Sequence, residues 1–326
     1  MKYQQSFLEK FPEQVNYAID NYVRHNLSID NISNILIGGL GGSGIAGRII
    51  RSFYQNACPV PVDLVSDYNL PAYVDNSTLV ILCSYSGNTE ETLSMYIEAM
   101  ERQSSMLVIT TGGLLFELAQ ENNVQIYLAE KGFQPRMALG YSLTYLALVF
   151  SELLRQNHHN NIRSFAKGLK AKENYLGRAQ ELFELVKNDV DKKMIIVGDP
   201  YSLPIGLRFA QQLQENAKSE AFVHELPEAN HNVIETYYGK LDSVFLFIDS
   251  CQNVKTSNRF EFLKSLLEKN GQNVFSMNLH GFALRDIYEV IYILDWLSLL
   301  IADAKGVKSD EIENINALKV FLSSKI

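Results

Sequence analysis

The chain has 326 residues, of which 47% are hydrophobic and 20% are charged, and its formal net charge is −8 at pH 7. This is a globular composition long enough for two domains, and the absence of a basic stripe with interleaved aromatic residues argues against a nucleic-acid partner. Cys58, Cys83 and Cys251 lie far apart, with neither metal-ligand spacing nor a disulfide pattern. Because the start of the chain also lacks an apolar signal core, we expect a cytoplasmic protein with no membrane partner.

Short apolar strands alternate with helices in the first half of the chain. The strands are predicted at Ile35–Ile37, Val60–Val65, Leu79–Cys83, Met106–Thr110 and Val124–Leu128, with helices at Gly44–Tyr54, about Glu90–Arg102, after Gly113 and at Ala138–Leu154. Buried strands separated by helices are typical of a parallel, doubly wound α/β sheet.

The second half follows the same plan after a polar helical segment, Asn157–Lys192. Its strands are predicted at Met194–Val197, Ala221–Glu225, Val244–Ile248 and Val274–Met277, with helices at about Pro204–Asn216 and Arg259–Lys269. Because the strands begin at similar offsets in both halves, we predict two doubly wound, three-layer αβα domains in tandem, at residues 1–155 and 156–326. The alternative is that any α/β protein has strands at such intervals.

Two stretches, Met137–Phe150 and Tyr288–Ala302, are apolar enough to be compared with membrane spans. The first is too short to cross a bilayer, and the second is interrupted by Glu289 and Asp295. Both are therefore predicted to be buried core helices.

Hydroxyl-rich and glycine-rich turns follow two of the first-half strands. The turns are Gly38-Gly-Leu-Gly-Gly-Ser-Gly44 and Cys83-Ser-Tyr-Ser-Gly-Asn-Thr89, and each opens a helix. Free amides and the positive dipole end of a helix favour an anion, so we predict a phosphate site. Its candidate residues are Gly42, Ser43, Gly44, Ser84, Ser86, Gly87 and Thr89. The alternative is that these hydroxyls only cap helices.

The corresponding turn of the second half, Asp249-Ser-Cys-Gln-Asn-Val-Lys255, has lost the glycine and most of the hydroxyls. The carboxylate of Asp249 lies at the start of this turn instead. We therefore expect one phosphate site per chain, in the first half.

These turns resemble the sugar isomerase (SIS) fold, and further segments resemble the bifunctional phosphoglucose/phosphomannose isomerase family over nearly the whole chain. The segments are Gln134-Pro-Arg-Met-Ala-Leu-Gly-Tyr141, Gln214-Glu-Asn-Ala-Lys218, Glu225-Leu-Pro-Glu-Ala-Asn-His-Asn232 and Ala317-Leu-Lys319. The resemblance implies a cofactor-free and metal-free aldose–ketose isomerase that acts on glucose 6-phosphate and fructose 6-phosphate, with mannose 6-phosphate as a further substrate.

The resemblance also assigns catalytic roles. Glu215 would be the base that moves the proton between C1 and C2, and Arg136 the cation beside the enediolate. His231 would open the sugar ring from the partner subunit of a homodimer, and Lys319 would assist at the ring oxygen. Without the resemblance, Glu215 would be interpreted as a solvated helical glutamate that is paired with Lys218.

One segment departs from the family pattern. Family members carry a Thr/Pro-rich turn before the terminal lysine, where a threonine is linked to acceptance of mannose phosphate, whereas this chain has Val307-Lys-Ser-Asp-Glu311. Ser309 is the candidate replacement, and the departure leaves mannose 6-phosphate open. Two other functions remain as alternatives: a sugar-phosphate sensor, which needs the turns but no base, and an amino-sugar phosphate isomerase with other catalytic residues.

Overall fold

The computed structural model describes residues 2–279 and 281–324, and contains two parallel sheets. The first half contains, in chain order, α1 (Lys2–Leu8), α2 (Phe11–Asp20), β1 (Asn34–Gly39), α3 (Gly41–Tyr54), β2 (Val62–Val65), β3 (Thr78–Ser84), α4 (Glu90–Glu101), β4 (Ser105–Thr110), α5 (Gly113–Glu121), β5 (Gln125–Leu128) and α6 (Leu139–Leu153). The second half contains α7 (His159–Leu169), α8 (Lys172–Val186), β6 (Lys193–Gly198), α9 (Leu203–Ala217), β7 (Ala221–Glu225), β8 (Ser243–Asp249), α10 (Val254–Lys269), β9 (Asn273–Asn278), α11 (Leu284–Ala304) and α12 (Glu313–Ser323).

The two sheets have the same connectivity. The first has the strand order β2-β1-β3-β4-β5 and the second β7-β6-β8-β9, and every pairing in both is parallel. In each sheet, the second strand lies on one side of the first strand and the third strand lies on the other side. The order in which strands are added therefore reverses between β1 and β3 in the first sheet and between β6 and β8 in the second. The predicted fold class of two doubly wound parallel sheets is confirmed, and the first sheet carries one further strand, β5.

The central strands are buried on both faces, which explains their apolar sequences. Every residue of β3 and of β8 is buried, as expected where helices cover both sides of a parallel sheet. The two long apolar stretches form α6 and α11, which lie in the core as predicted. In the described part of the chain, no helix combines the length and apolarity needed to cross a membrane.

The two halves pack together through α3 and α9. Near the end of α3, the Ser52 hydroxyl donates a hydrogen bond to the Tyr201 carbonyl oxygen, 2.6 Å away and just before α9 begins. At the other end of α9, Glu215 pairs with Arg136, which follows the carboxyl end of β5. The carboxyl edge of the first sheet therefore faces the amino edge of the second.

Two helices begin earlier than their sequence patterns predict. α3 begins at Gly41 rather than Gly44, because the glycine run forms its first helical turn. Gly41 itself has a φ of +51°. α10 begins at Val254 rather than near Arg259, because the Asn253 side chain caps it by accepting a hydrogen bond from the Lys255 N–H at 2.9 Å.

Candidate active site

The two hydroxyl-rich turns lie side by side because β1 and β3 are neighbours in register, with Gly39 opposite Cys83. The Ser43 hydroxyl accepts a hydrogen bond from the Tyr85 N–H at 3.1 Å and so joins the first turn to the second. Within the second turn, the hydroxyl oxygens of Ser84 and Thr89 lie 2.9 Å apart. The structure thus brings the predicted phosphate-binding residues to one edge of the first sheet.

The alternative reading, in which these hydroxyls only cap helices, does not fit the geometry. Thr89 occupies the N-cap position of α4 but its side chain makes no capping bond, and Leu40 at the start of α3 offers none. Ser86 is exposed, and its hydroxyl accepts from the Asn88 N–H at 3.2 Å inside the turn. Neither helix start therefore has a side-chain cap, which suits the binding of an anion by the first amides.

Two glycines permit close approaches that shape this edge. Gly87 has a φ of +68°, and a Cβ there would lie 1.7 Å from the Gly112 carbonyl oxygen. A Cβ on Gly42 would lie 2.9 Å from the Pro135 carbonyl oxygen. Because position 42 is glycine, the turn that carries Arg136 can rest directly on the first turn of α3.

Arg136 is buried, with 2% of its side chain exposed, and its guanidinium has three partners. Nη1 lies 3.2 Å from Glu215 Oε2, Nε donates to Asn216 Oδ1 at 2.8 Å, and Nη2 donates to the Ser309 carbonyl oxygen at 2.6 Å. Burial lowers the pKa of Arg136, while the Glu215 carboxylate raises it. A guanidinium stays protonated at neutral pH, so the site holds a fixed positive charge beside a carboxylate.

Glu215 is partly buried, as predicted, with 29% of its side chain exposed. It is not a solvated glutamate paired with Lys218: its carboxylate contacts Arg136, and the Lys218 ammonium donates instead to the main-chain carbonyl oxygens of Glu215 and Glu311. Burial, and then the Arg136 charge, lower the pKa of Lys218. Glu215 opens onto a cleft of about 450 Å³ that it shares with the first turn of α12.

The two remaining catalytic candidates lie away from this pair in the single chain. His231 is exposed on a short 3-10 helix, Glu228–His231, beyond the carboxyl end of β7. Lys319 is exposed on α12, whose first turn lines the Glu215 cleft. The structure therefore joins Arg136, Glu215 and the phosphate turns, and leaves His231 and Lys319 at the surface.

The segment before α12, residues 309–311, is hydrogen-bonded to the site by several side chains. This role for them was not predicted from the sequence. Gln134 Nε2 donates to the Asp310 carbonyl oxygen at 3.0 Å, next to the bonds that Arg136 and Lys218 make to residues 309 and 311. Ser309 itself is buried. The residues that depart from the family pattern thus lie against the Arg136 guanidinium. The presence of Gln134 and Lys218 inside family-like motifs was the only signal in the sequence.

The equivalent edge of the second sheet holds a carboxylate of the chain itself. Asp199 follows β6 as Leu40 follows β1, and it is buried. One oxygen accepts from the N–H groups of Tyr201 and Ser202 at 2.8 and 3.0 Å, and the other from the Ser250 N–H at 2.8 Å. Asp249, the carboxylate that the sequence places at the start of the second turn, accepts from the Cys251 N–H at 2.8 Å. Asp199, not Asp249, bridges the two turns.

Replacing Asp199 by alanine is expected to lower the free energy of unfolding by about 3 kcal/mol, because three amides would lose their acceptor inside the protein. Asp199→Asn keeps one acceptor oxygen and should lose about half as much. Urea denaturation of both variants tests this. An alanine variant as stable as the wild type would show that Asp199 does not hold the two turns together.

Comparison with known proteins assigns this chain to a family. A family profile described as the bacterial phospho-glucose isomerase C-terminal SIS domain matches residues 175–322, and the SIS domain profile matches residues 28–148. A curated bifunctional phosphoglucose/phosphomannose isomerase from Caldicellulosiruptor bescii is 33% identical over 323 residues, covering 94% of this chain and 95% of the relative. The chain belongs to the bifunctional phosphoglucose/phosphomannose isomerase family.

The resemblance inferred from the sequence motifs is therefore confirmed, and the similarity also extends to another chemistry. A D-glucosamine-6-phosphate 4-epimerase from Sulfolobus acidocaldarius is 30% identical to this family member, with 86% of each chain covered. Among solved structures, the C-terminal domain of glucosamine-fructose-6-phosphate aminotransferase from Francisella tularensis matches with a TM-score of 0.72 at 17% identity, covering 95% of this chain and 98% of that chain. At that identity the match supports the fold alone.

Proposed function

We propose that this chain is a cofactor-independent aldose–ketose isomerase that interconverts glucose 6-phosphate and fructose 6-phosphate, with mannose 6-phosphate as a second substrate. The observation that carries the proposal is the pairing of Glu215 with the buried Arg136 at 3.2 Å, directly beside the phosphate turns. Membership of the family supports the same reaction. We further propose that residues 1–155 and 156–326 form the two domains of a cytoplasmic enzyme.

The proposed roles follow from the chemistry of the reaction. The turns at 42–44 and 84–89 hold the phosphate, and ring opening gives the open-chain sugar. The Glu215 carboxylate removes a proton from C1 or C2 and delivers a proton to the other carbon. The negative charge that develops on the oxygens of the enediolate is stabilised by Arg136, whose charge is already in place.

The geometry of α9 supports a site shared between two subunits. Leu203 starts α9 at the carboxyl edge of the second sheet, and Glu215 lies twelve residues further along. At 1.5 Å per residue these positions are about 18 Å apart along the axis. His231 lies at the carboxyl edge, where the Leu226 N–H bonds the Gly198 carbonyl oxygen, whereas Gln214 Nε2 bonds the Ala221 carbonyl oxygen at the start of β7. One chain therefore holds Glu215 and His231 at opposite edges.

The exposed apolar side chains of α12 support the same proposal. Leu318, Val320 and Phe321 are 56%, 70% and 57% exposed in the single chain. Burying such side chains against a second copy would be favourable by about 1.5–3 kcal/mol for each one fully covered. We propose a homodimer in which His231 reaches the partner's site and α12, which carries Lys319, is covered.

A coupled assay tests the function. Fructose 6-phosphate and mannose 6-phosphate are offered separately, with and without EDTA, and glucose 6-phosphate is detected. D-glucosamine 6-phosphate is offered in parallel because of the related epimerase, and its conversion to the C4 epimer is followed by NMR. Turnover of the first two substrates that EDTA does not change supports the proposal. Conversion of D-glucosamine 6-phosphate alone would replace it with the epimerase, and binding without turnover would favour the sensor.

His231→Ala is expected to lower kcat on fructose 6-phosphate by about 10²-fold, which is the lower range for loss of a general acid–base group. The same variant should turn over 5-deoxyfructose 6-phosphate at close to the wild-type rate, because that ketose lacks the hydroxyl that closes the ring. Equal losses on both substrates would contradict a ring-opening role.

Mixing inactive His231→Ala and Glu215→Gln chains tests the shared site. After subunit exchange, verified with differently tagged chains, roughly a quarter of the sites in a random dimer population should be intact, since a two-fold interface pairs each base with the other chain's histidine. No recovery of activity after verified exchange would show that the site is complete within one chain.

A further inference from the structure

A buried ring of hydrogen bonds surrounds the side chain and the main chain of Arg136. Nε of Arg136 donates to Asn216 Oδ1 at 2.8 Å, and Asn216 Nδ2 donates to Ser298 Oγ at 2.9 Å. Ser298 Oγ donates to the Asp295 carbonyl oxygen at 2.7 Å. Arg208 Nη2 then donates both to Asp295 Oδ2, at 2.9 Å, and to the carbonyl oxygen of Arg136, which closes the ring.

The ring is completely inside the protein. All five residues are buried, and Asn216 and Ser298 have no exposed surface at all. Arg208 and Asn216 are two turns apart on one face of α9, while Asp295 and Ser298 are three residues apart on α11. Two helices of the second half therefore hold a side chain that belongs to the first half.

Asn216 makes the one contact of this ring that fixes the guanidinium directly. Arginine can only donate, so the Asn216 oxygen must face Arg136 and the amide nitrogen must face Ser298. Both ends of the amide are thereby assigned. With Nε held by Asn216 and Nη2 held by the Ser309 carbonyl oxygen, Nη1 is directed towards Glu215, which lines the cleft.

We propose that Asn216, anchored through Ser298, Asp295 and Arg208, is the positioning residue that aims the Arg136 guanidinium at the reacting oxygens. The inference rests on the proposed role of Arg136 at the enediolate. Stabilisation of a transition state by a fixed charge depends on the charge being in place beforehand, and a displacement of about 1 Å can cost about 10²-fold in rate. A long side chain with several rotatable bonds needs such an anchor, which the neighbour of the proposed base provides.

Asn216→Leu keeps the side-chain shape and removes both hydrogen bonds. We expect kcat on fructose 6-phosphate to fall by about 10²-fold. The affinity for 5-phospho-D-arabinonohydroxamate, whose planar anion resembles the enediolate, should fall by a similar factor. The affinity for glucitol 6-phosphate, which carries the phosphate but no planar anion, should change by less than about twofold, because a misplaced guanidinium affects only the anion that it contacts.

Thr144→Val is the matched control. It removes a buried hydrogen bond, between Thr144 Oγ1 and the Tyr288 hydroxyl at 3.0 Å, that does not involve Arg136. It should lower the melting temperature as Asn216→Leu does and leave kcat and both affinities unchanged. Ser298→Ala is the second variant of the ring, since it removes the acceptor of Asn216 Nδ2 and leaves the Asn216 bond to Arg136 in place. Its loss of kcat should be smaller, and adding it to Asn216→Leu should cause no further loss.

A folded Asn216→Leu protein with wild-type kcat and hydroxamate affinity would overturn the inference. Equal losses for the hydroxamate and glucitol 6-phosphate would also overturn it, because they would indicate general damage to the site. If Asn216→Leu does not fold, Ser298→Ala decides by the same ratio of affinities. A wild-type protein that neither turns over fructose 6-phosphate nor binds the hydroxamate would instead refute the proposed function.

Discussion

Replacing Glu215 by glutamine is expected to lower kcat on fructose 6-phosphate by about 10³-fold, within the range for loss of a general base. Glutamine keeps an oxygen that can accept from Arg136 Nη1, now at 3.2 Å from the carboxylate, but it cannot take a proton from carbon. KM should change little, because the phosphate turns remain intact. Steady-state kinetics with fructose 6-phosphate measure both parameters.

Glu220→Gln is the matched control for this variant. Glu220 undergoes the same chemical change five residues away, where its carboxylate is exposed and lies 3.2 Å from Lys193. Its kcat and KM should equal those of the wild type. A Glu215→Gln protein that is folded and retains more than about a tenth of the wild-type kcat would assign the base to another residue.

Replacing Arg136 by lysine is expected to lower kcat by about 10²-fold, comparable to the loss of one donor that stabilises an oxyanion. Lysine keeps the positive charge, but it cannot serve Asn216, Ser309 and Glu215 at once as the guanidinium fork does. Arg136→Met removes the charge and should lose more. Kinetics on fructose 6-phosphate, together with a melting curve for each variant, measure these effects.

Arg155→Lys serves as the control for the arginine-to-lysine change. Arg155 is exposed and forms an ion pair with Asp30 at 2.7 Å, so its replacement should leave both kcat and the melting temperature near their wild-type values. Activity in Arg136→Lys that equals the wild type would show that a point charge suffices and that the fork geometry is not used. Equal activity in Arg136→Met would remove Arg136 from the mechanism.

The sheet architecture could be predicted because its signals are local. Buried strands such as β3 and β8 appear as continuous apolar runs, and the turn residues that follow them mark where they end. The predicted starts of α3 and α10 lie several residues too late in the chain. Glycine and asparagine occur both in turns and at the start of helices, so their presence does not show which of the two is formed. No helix was predicted before β1, although Phe11, Val15, Ala18 and Ile19 of α2 recur at the spacing of an amphipathic helix.

The site was only partly accessible from the sequence. Hydroxyls and glycines at strand ends indicate an anion site by themselves, whereas the pairing of Arg136 with Glu215 joins residues 79 positions apart and depends on how the two halves dock. The same holds for Asp199, which bridges two turns, and for Asn216. An asparagine next to the proposed base, on the buried face of a helix, was a signal that the sequence contained but local patterns could not interpret.

The central claim is that Glu215 and Arg136 support proton transfer between C1 and C2 of a sugar phosphate. The most direct test is to incubate the wild-type protein with fructose 6-phosphate in D₂O and to follow the product by NMR. We predict glucose 6-phosphate with deuterium at C2, because the carboxylate base exchanges its proton with solvent during the lifetime of the enediolate. No label is expected at C4, because the reaction does not break a bond there. Formation of no glucose 6-phosphate, with fructose 6-phosphate recovered unlabelled, would contradict the account.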